Sequence, residues 1–345
     1  MIKYLNQKEK ALTKPLYQEA FFEDSDSFVN YYYEEKLKDN RILADIEGES
    51  IRSMMMLNPY KISVFNKLYN LDYIVAVATG KEFKRQGYMR RLLNKALCDM
   101  NAEHVPFTYL IPANKDYYLP FDFAFVANKN EYNANFSGLK KQVIKEEPDK
   151  ELIFRILDFI NNEVSKDNDV YTYRDENYFI RDLKEIASED GFINIYSDEN
   201  DIVAYESFWG KKLELKERIV SSKLANRKFG KENIMVRITD IAELLSNFRA
   251  KELLDIIIRI NDNIIEAQNG YFRIEMDERH SSVSRISDIG DRGFAEFDIA
   301  DFTGWIFGYV SDTKCSLINF LDKSTAKKTL DSINKISGIF INELV

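Results

Sequence analysis

Two histidines and two cysteines are all that a chain of 345 residues offers to the commonest catalytic and metal-binding chemistries. His104 and His280 form no ligand-spaced set with Cys98 and Cys315, which argues against a histidine-based zinc site and a serine–histidine triad. Cysteines so few and so far apart build no disulfide framework, and a reducing cytoplasm is the plain reading. No stretch approaches the ~20 apolar residues of a membrane helix. The opening "MIKYLNQKEKALTK" lacks the unbroken apolar run of a signal peptide. Excess positive charge is missing too. The chain has 48 Lys+Arg against 57 Asp+Glu, a net charge of −9, whereas a general nucleic-acid binder needs a basic face. The acidic balance suits cationic small substrates. With so little histidine, acid–base chemistry falls to carboxylates, tyrosine, lysine, water or a chain terminus.

What is present points to a folded, multi-domain protein. Hydrophobic residues at 45% and charged residues at 30% suit a soluble surface over an ample core, and the length implies two or three domains. Helical periodicity predicts two short helices over 16–21 and 28–37. "RILADIEG", "SIRSMMMLNPYKISV" and "LDYIVAVAT" read as strands, the last as a central strand covered on both faces. "FTYLIP" is another central strand. "KKQVIKEEPDKE" and "LANRKFGKEN" read as linkers. Between them lie a helical stretch over 151–186 and the hairpin "FINIYSDENDIVAYESFW". The remainder alternates strands, such as "LDIIIRI" and "GYFRIEM", with the apolar helix "ADFTGWIFGYV" and a helical "AKKTLDSINKIS". Three segments result: 1–145, 146–232 and 233–345.

One stretch stands apart from the acidic background. "IVAVATGKEFKRQGYMRRLLNKAL", residues 74–97, is a strand, a basic turn with Gly87, and a helix with a buried stripe at Met89, Leu92, Leu93, Ala96, Leu97 and Met100. Its Lys84, Arg85, Arg90 and Arg91 could be plain solvated charges. They could equally complete an anion cradle, because free N–H groups and the macrodipole make a helix start positive and glycine permits close approach.

"VATGKEFKRQGYMRRLL" resembles the acetyl-CoA signature of the GNAT N-acetyltransferase superfamily, a strand followed by Arg/Gln-x-x-Gly-x-Gly/Ala at a helix start. Lys84 holds the first position and Met89 the last small-residue position, two departures that leave backbone donation untouched. The resemblance implies that Val75, Ala76 and Val77 hold the pantetheine arm of acetyl-CoA. Arg85, Gln86, Gly87, Tyr88, Met89 and Arg90 would then surround the pyrophosphate. Asn114 would either cap the following turn or touch the pantetheine.

"YQEAFFEDSDSFVNYYYEEK", "VPFTYLIPANKDYYLPFDFAFV", "LDIIIRINDNIIEAQNGYFRIEM" and "FDIADFTGWIFGYVS" extend the likeness, which is to the Eis (enhanced intracellular survival) type. That resemblance implies an α/β fold with a GNAT mixed central sheet flanked by helices. A second, partial GNAT-like domain and a C-terminal sterol-carrier-like α+β domain would follow. It implies acetyl transfer to a primary amine of a polyamine, aminoglycoside or lysine-like compound by a cytoplasmic homo-oligomer, with neither nucleic acid nor membrane as partner. Tyr118 of "YLPFDF" would be the general acid, with Phe121 and Phe123 at the aromatic positions and Tyr117 as its rival. Leu119, Pro120 and Asp122 depart from the family turn. The Val345 carboxylate would be the base, with Glu343 the alternative carboxylate. "FFEDSDSFVNYYYEEK" is either a substrate wall or core aromatics with solvated acids. A non-catalytic CoA- or lipid-binding protein of the same fold is the competing expectation.

Overall fold

The β-rich run at 71–78 becomes the middle of the largest sheet, and the strands on either side of it decide where a ligand can enter. The computed structural model describes residues 1–343 apart from Glu49, Lys211 and Thr313. In chain order, the first segment holds β1 (Ile2–Tyr4), α1 (Lys14–Ala20), α2 (Asp26–Glu35), β2 (Arg41–Glu47), β3 (Ser50–Val64), β4 (Lys67–Thr79), α3 (Tyr88–Ala102), β5 (Phe107–Leu110), β6 (Ala124–Ala134) and β7 (Lys140–Ile144). The middle holds α4 (Lys150–Lys166), β8 (Val170–Thr172), α5 (Glu176–Ala187), β9 (Phe192–Asp198), β10 (Asp201–Trp209), β11 (Glu214–Val220) and β12 (Ala225–Ile238). The last segment holds α6 (Ile241–Leu245), β13 (Leu254–Asn261), β14 (Gly270–Met276), β15 (Ser281–Ile286), β16 (Phe294–Asp298), α7 (Ile299–Ile306), β17 (Ser316–Ile318), α8 (Lys323–Asp331) and β18 (Ile339–Phe340).

Three sheets organise these elements. The first has nine strands in the order β1-β2-β3-β4-β5-β12-β6, with β8 and β18 added at the far end of β3. The second is β11-β10-β9-β7, and the third is β15-β14-β13-β16-β17. Mixed sheets flanked by helices are the expected α/β architecture. Helix α3 lies on the first sheet through Leu92, Leu93, Ala96, Leu97 and Met100, the stripe that the periodicity predicts. Five such side chains removed from water contribute on the order of 1.5–3 kcal/mol each for the larger ones. Among the described residues, no helix is long and apolar enough to cross a membrane.

Both expected linkers need correction. "LANRKFGKEN" is the first half of β12, paired antiparallel with β6, and the second half of β12 pairs with β5. β12 therefore crosses the expected 232/233 boundary and sits in the first sheet. Residues 140–144 of the other linker form β7, which pairs with β9. Polar, charged strands of this kind are made by the partner strand and not by their own composition. The tail also returns to the first sheet: β18 runs parallel to β8, with Ile339 opposite Val170 and Phe340 opposite Tyr171. The C-terminal residues are thus carried back from the third sheet to the junction of the other two.

Candidate active site

Strands β4 and β5 run parallel and share one paired position, Tyr73 with Tyr109. Beyond it β4 continues to Thr79 with a partner on the β3 side only, so the two strands part like a fork. The register of β3 against β4 shifts at this point: Met56 faces Val75 and Met54 faces Ala78. Ala76 takes the left-handed conformation (φ 49°) in that bulge. A bulge leaves its extra residue outside the ladder, here on the strand that borders the fork. Val75 stays paired with Met56, while Ala76 and Val77 lie in the bulge outside the regular pairs on the strand that borders the fork.

The turn after β4 leads into α3 at the open end of the fork. Gly87 caps the helix in the left-handed region (φ 78°), and no side chain caps the N–H groups of the first turn. Gly87 O accepts from Arg91 N, but among the described residues nothing accepts from the N–H groups of Gly87 to Arg90. A Cβ built on Gly87 would meet only Arg91 Nη1, at 3.7 Å, so the space in front of the turn is open. Arg85 also has positive φ (62°), a conformation that non-glycine residues rarely adopt. The side chains of Lys84, Arg85, Gln86 and Arg90 are exposed around this opening, while Tyr88 and Met89 are half-buried. Arg91 lies over the Tyr88 ring, with its carbon 4.3 Å from the centroid. Uncapped amides, an open face and cationic side chains fit a pyrophosphate, so the residues present suit an acyl-CoA.

Arg90 connects this helix start to the Tyr118 turn, because its guanidinium lies over the Phe121 ring at 5.2 Å. Tyr118 sits between two short 3₁₀ turns and packs edge-on against Phe123, with centroids 5.8 Å apart. Burial, with Tyr117 adding to it, pushes the Tyr118 phenol up to about 12. It therefore keeps its proton at neutral pH and is a donor. Asp122 adopts φ 60°, the left-handed conformation that a glycine would supply, so the departure at this position leaves the turn in place. What fixes the turn is a pair the sequence reading missed. Arg237 of β12 is fully buried, donates to the Phe121 carbonyl at 3.0 Å, and pairs with the buried Asp262 of the C-terminal segment at 2.7 Å. Asn114 is exposed and accepts from Asp116 N at 2.9 Å, capping the turn.

Tyr60, which packs on Tyr73 at 6.3 Å, lines a cavity of about 400 Å³ between the end of α2, β3, α5, β11 and the tail. Its charged lining is internally paired. Lys36 meets Glu185 at 2.9 Å, and Lys216 meets Glu185 at 2.5 Å and Asp182 at 2.9 Å. Burial alone would raise the Glu185 carboxyl, but Lys216 and Lys36 pull it down to about 2. Arg174, also buried, pairs bidentately with Glu217 at 2.6 and 2.7 Å. The tail docks on this layer, with Asn342 Nδ2 donating to Lys216 O at 3.2 Å. Glu343 is buried beside it and accepts from the Tyr178 hydroxyl at 3.2 Å. Burial pushes its carboxyl up to about 7. Val345, the expected base, lies outside the described residues.

The aromatic run at 21–36 is mostly core. Phe28, Val29, Tyr31 and Tyr32 are buried, and Asp24 accepts from the Tyr17 hydroxyl at 2.8 Å. Only its end, Glu35 and Lys36, reaches the cavity. Tyr60, Tyr73 and Tyr178, which link the cavity to the fork, escaped sequence reading. Twenty tyrosines carry no spacing signal that separates these three from packing residues.

Comparison with known proteins agrees with this geometry. The acetyltransferase (GNAT) domain family matches residues 1–126, and the sterol carrier protein domain family matches residues 241–342. Among curated proteins no relative matches the chain. Solved structures share the fold over the full length at low identity. A conserved protein of unknown function from Enterococcus faecalis V583, described as a probable N-acyltransferase, superposes with a TM-score of 0.80 at 16% identity, covering 100% of this chain and 99% of that one. A GCN5-related N-acetyltransferase from Kribbella flavida gives 0.75 at 11% identity, with 100% of both chains covered. Eis1 from Mycobacterium abscessus gives 0.63 at 9% identity, covering 97% and 93%. Residues 1–126 thus carry a GNAT-type acetyltransferase domain and residues 241–342 a sterol carrier protein domain.

Proposed function

We propose that the protein transfers the acetyl group of acetyl-CoA to a primary amine, with Tyr118 as general acid and a carboxylate of the C-terminal tail as base. The observation that carries this reading is the fork: β4 and β5 part at Tyr73 and open toward an uncapped helix start at Gly87. Val75 to Val77 would hold the pantetheine arm along the fork, and the amides of Gln86 to Arg90 would hold the pyrophosphate, helped by Arg85. Acetyl-CoA, when bound, supplies an activated acyl group. The chain's own residues position it and manage the protons. Tyr118 holds its proton at neutral pH and offers it to the departing sulfur. The cavity lined by Tyr60 receives the amine. A polyamine, an aminoglycoside or a lysine-like amine are the classes to screen.

Purified protein is titrated with acetyl-CoA by calorimetry, then mixed with acetyl-CoA and single amines while thiol release is followed. The expected result is saturable binding and amine-dependent release. Tight acetyl-CoA binding without release for any amine would leave a CoA-binding protein and refute catalysis. Stabilisation by fatty acids with no acetyl-CoA binding would refute the whole reading.

A further inference from the structure

Among the described residues, every charged side chain lining the 400 Å³ cavity is ion-paired except one. Glu35 pairs with Lys184, Asp39 with Arg181 and Asp175 with Lys61, while Asp182 and Glu185 share Lys216 and Lys36. Among the described residues Glu343 has no cation within ion-pair distance; the Tyr178 hydroxyl donates to it at 3.2 Å, and Thr172 beside it favours its ionised form. A buried carboxyl held by a phenol and facing an open cavity is an unfilled acceptor for a cation.

A run of tyrosine rings links the residue that holds Glu343 to the fork. Tyr178 packs on Tyr60 with centroids 6.1 Å apart, Tyr60 on Tyr73 at 6.3 Å, and Tyr73 on Tyr109 at 5.4 Å. After burial, Glu343 is the largest influence raising the Tyr73 and Tyr109 phenols, and Tyr118 acts on Tyr73 as well. Among the described residues, the Tyr109 hydroxyl, fully buried at the fork's apex, has no hydrogen-bond partner. A buried phenol with spare hydrogen-bonding capacity at the fork can take a polar atom of a ligand.

We propose that the Glu343 side chain, and not the chain terminus, receives the substrate ammonium and serves as the general base, and that this selects amines bearing a single ammonium. The proposal rests on the acetyltransferase reading above. Glu343 takes one proton from the ammonium and releases it to the water of the cavity. The neutral nitrogen attacks the thioester carbon. The C–N bond forms as the C–S bond breaks, with the bonding pair going to sulfur, which takes the Tyr118 proton. The nitrogen gives its second proton to Glu343, which passes it to the water of the cavity as it did the first, and Tyr118 regains one from solvent. One N-acetyl amine, one thiol and one released proton balance the ammonium and the thioester.

Other charges facing Glu343 are Arg174 and Lys36, which favour its ionised form, and Glu217, which opposes it. They persist in a Glu343→Gln variant, so a pH effect specific to Glu343 disappears there while theirs remain. Wild type is compared with Glu343→Gln, with Glu343→Asp and with a protein whose terminus is amidated. The wild-type rate should rise through a pH of about 7. Glu343→Gln should lose that limb and about 10²–10⁴-fold in kcat, with acetyl-CoA affinity unchanged. Glu343→Asp should recover part of the rate, and the amidated protein should keep it all. A monoamine should show a higher kcat/KM than a triamine of similar length. Independently of activity, the melting temperatures of wild type and Glu343→Gln should diverge with rising pH, the variant becoming the more stable.

A Glu343→Gln variant that keeps both rate and pH limb, a loss of rate on amidation, or a preference for the triamine overturns the proposal while amine acetylation stands. A wild type inert toward every amine overturns both.

Discussion

Replacing Glu343 with glutamine should make stability less dependent on pH, and the size of the effect follows from the structure. Burial raises the Glu343 carboxyl from 4.5 to about 7. The folded state therefore binds this proton more tightly than the unfolded chain does. Its contribution is fully present below a pH of about 4.5 and is lost as pH rises through about 7. The loss amounts to about 3 kcal/mol, since each pKa unit is worth ~1.4 kcal/mol. Unfolding entropy near ~2.1 cal/mol/K per residue gives about 0.7 kcal/mol/K for this chain, so the loss equals about 4 °C in Tm. Differential scanning fluorimetry of both proteins from about pH 5 to about pH 8 reads the gap between them. The constant part of the gap reports the isosteric change itself. The part that varies with pH reports Glu343, because all other groups titrate alike in both proteins. A gap that grows by about 4 °C toward high pH in favour of the variant is expected. A flat gap would mean that Glu343 ionises normally, and the account of its burial would fail.

Three further outcomes can be checked directly. Gly87→Val should abolish acetyl-CoA binding by calorimetry yet leave the circular dichroism spectrum native. Position 87 has φ 78° and open space before it, so the new side chain occupies the anion site; undiminished affinity would reduce the stretch to a solvated helix start. Tyr118→Phe should lower kcat by about 10²–10⁴-fold with little change in acetyl-CoA affinity, measured by thiol release; an unchanged kcat would return attention to Tyr117. Asp262→Asn should leave the buried Arg237 with only the more distant, partly exposed Asp122 carboxylate at 3.8 Å, at a cost of up to about 3–5 kcal/mol in urea unfolding, and should also slow turnover, because Arg237 holds the Phe121 carbonyl of the Tyr118 turn; full stability would show that this pair is not what fixes the turn.

The strand, basic turn and uncapped helix start at 74–97 were legible because their determinants are local. An apolar strand, a basic turn, a glycine and a helical stripe occupy 24 consecutive positions, and backbone sterics alone turn that order into an uncapped helix start at Gly87. Tyr118 was reachable through the aromatic pattern around it, and the structure adds that Asp122 adopts the left-handed conformation expected of a glycine. Long-range features were not legible. β12 is as polar as a linker in "LANRKFGKEN" and becomes a strand because β6 and β5 lie on either side of it. Arg237 and Asp262 are 25 positions apart and on different segments, so nothing in either neighbourhood announces a buried pair. The aromatic run at 21–36 shows the converse: a pattern that suits ligand binding is spent mainly on a core, because Phe28, Tyr31 and Tyr32 share one helix face with Val29.

The most direct test of the account follows the acetyl group itself. Protein, acetyl-CoA labelled with carbon-13 in the acetyl carbonyl, and the best amine of the screen are mixed, and products are read by mass spectrometry and carbon NMR. The label is expected in an amide on the amine nitrogen, with one equivalent of free CoA thiol per amide formed. Label recovered as acetate, or left on CoA while the protein is saturated with both compounds, would contradict it.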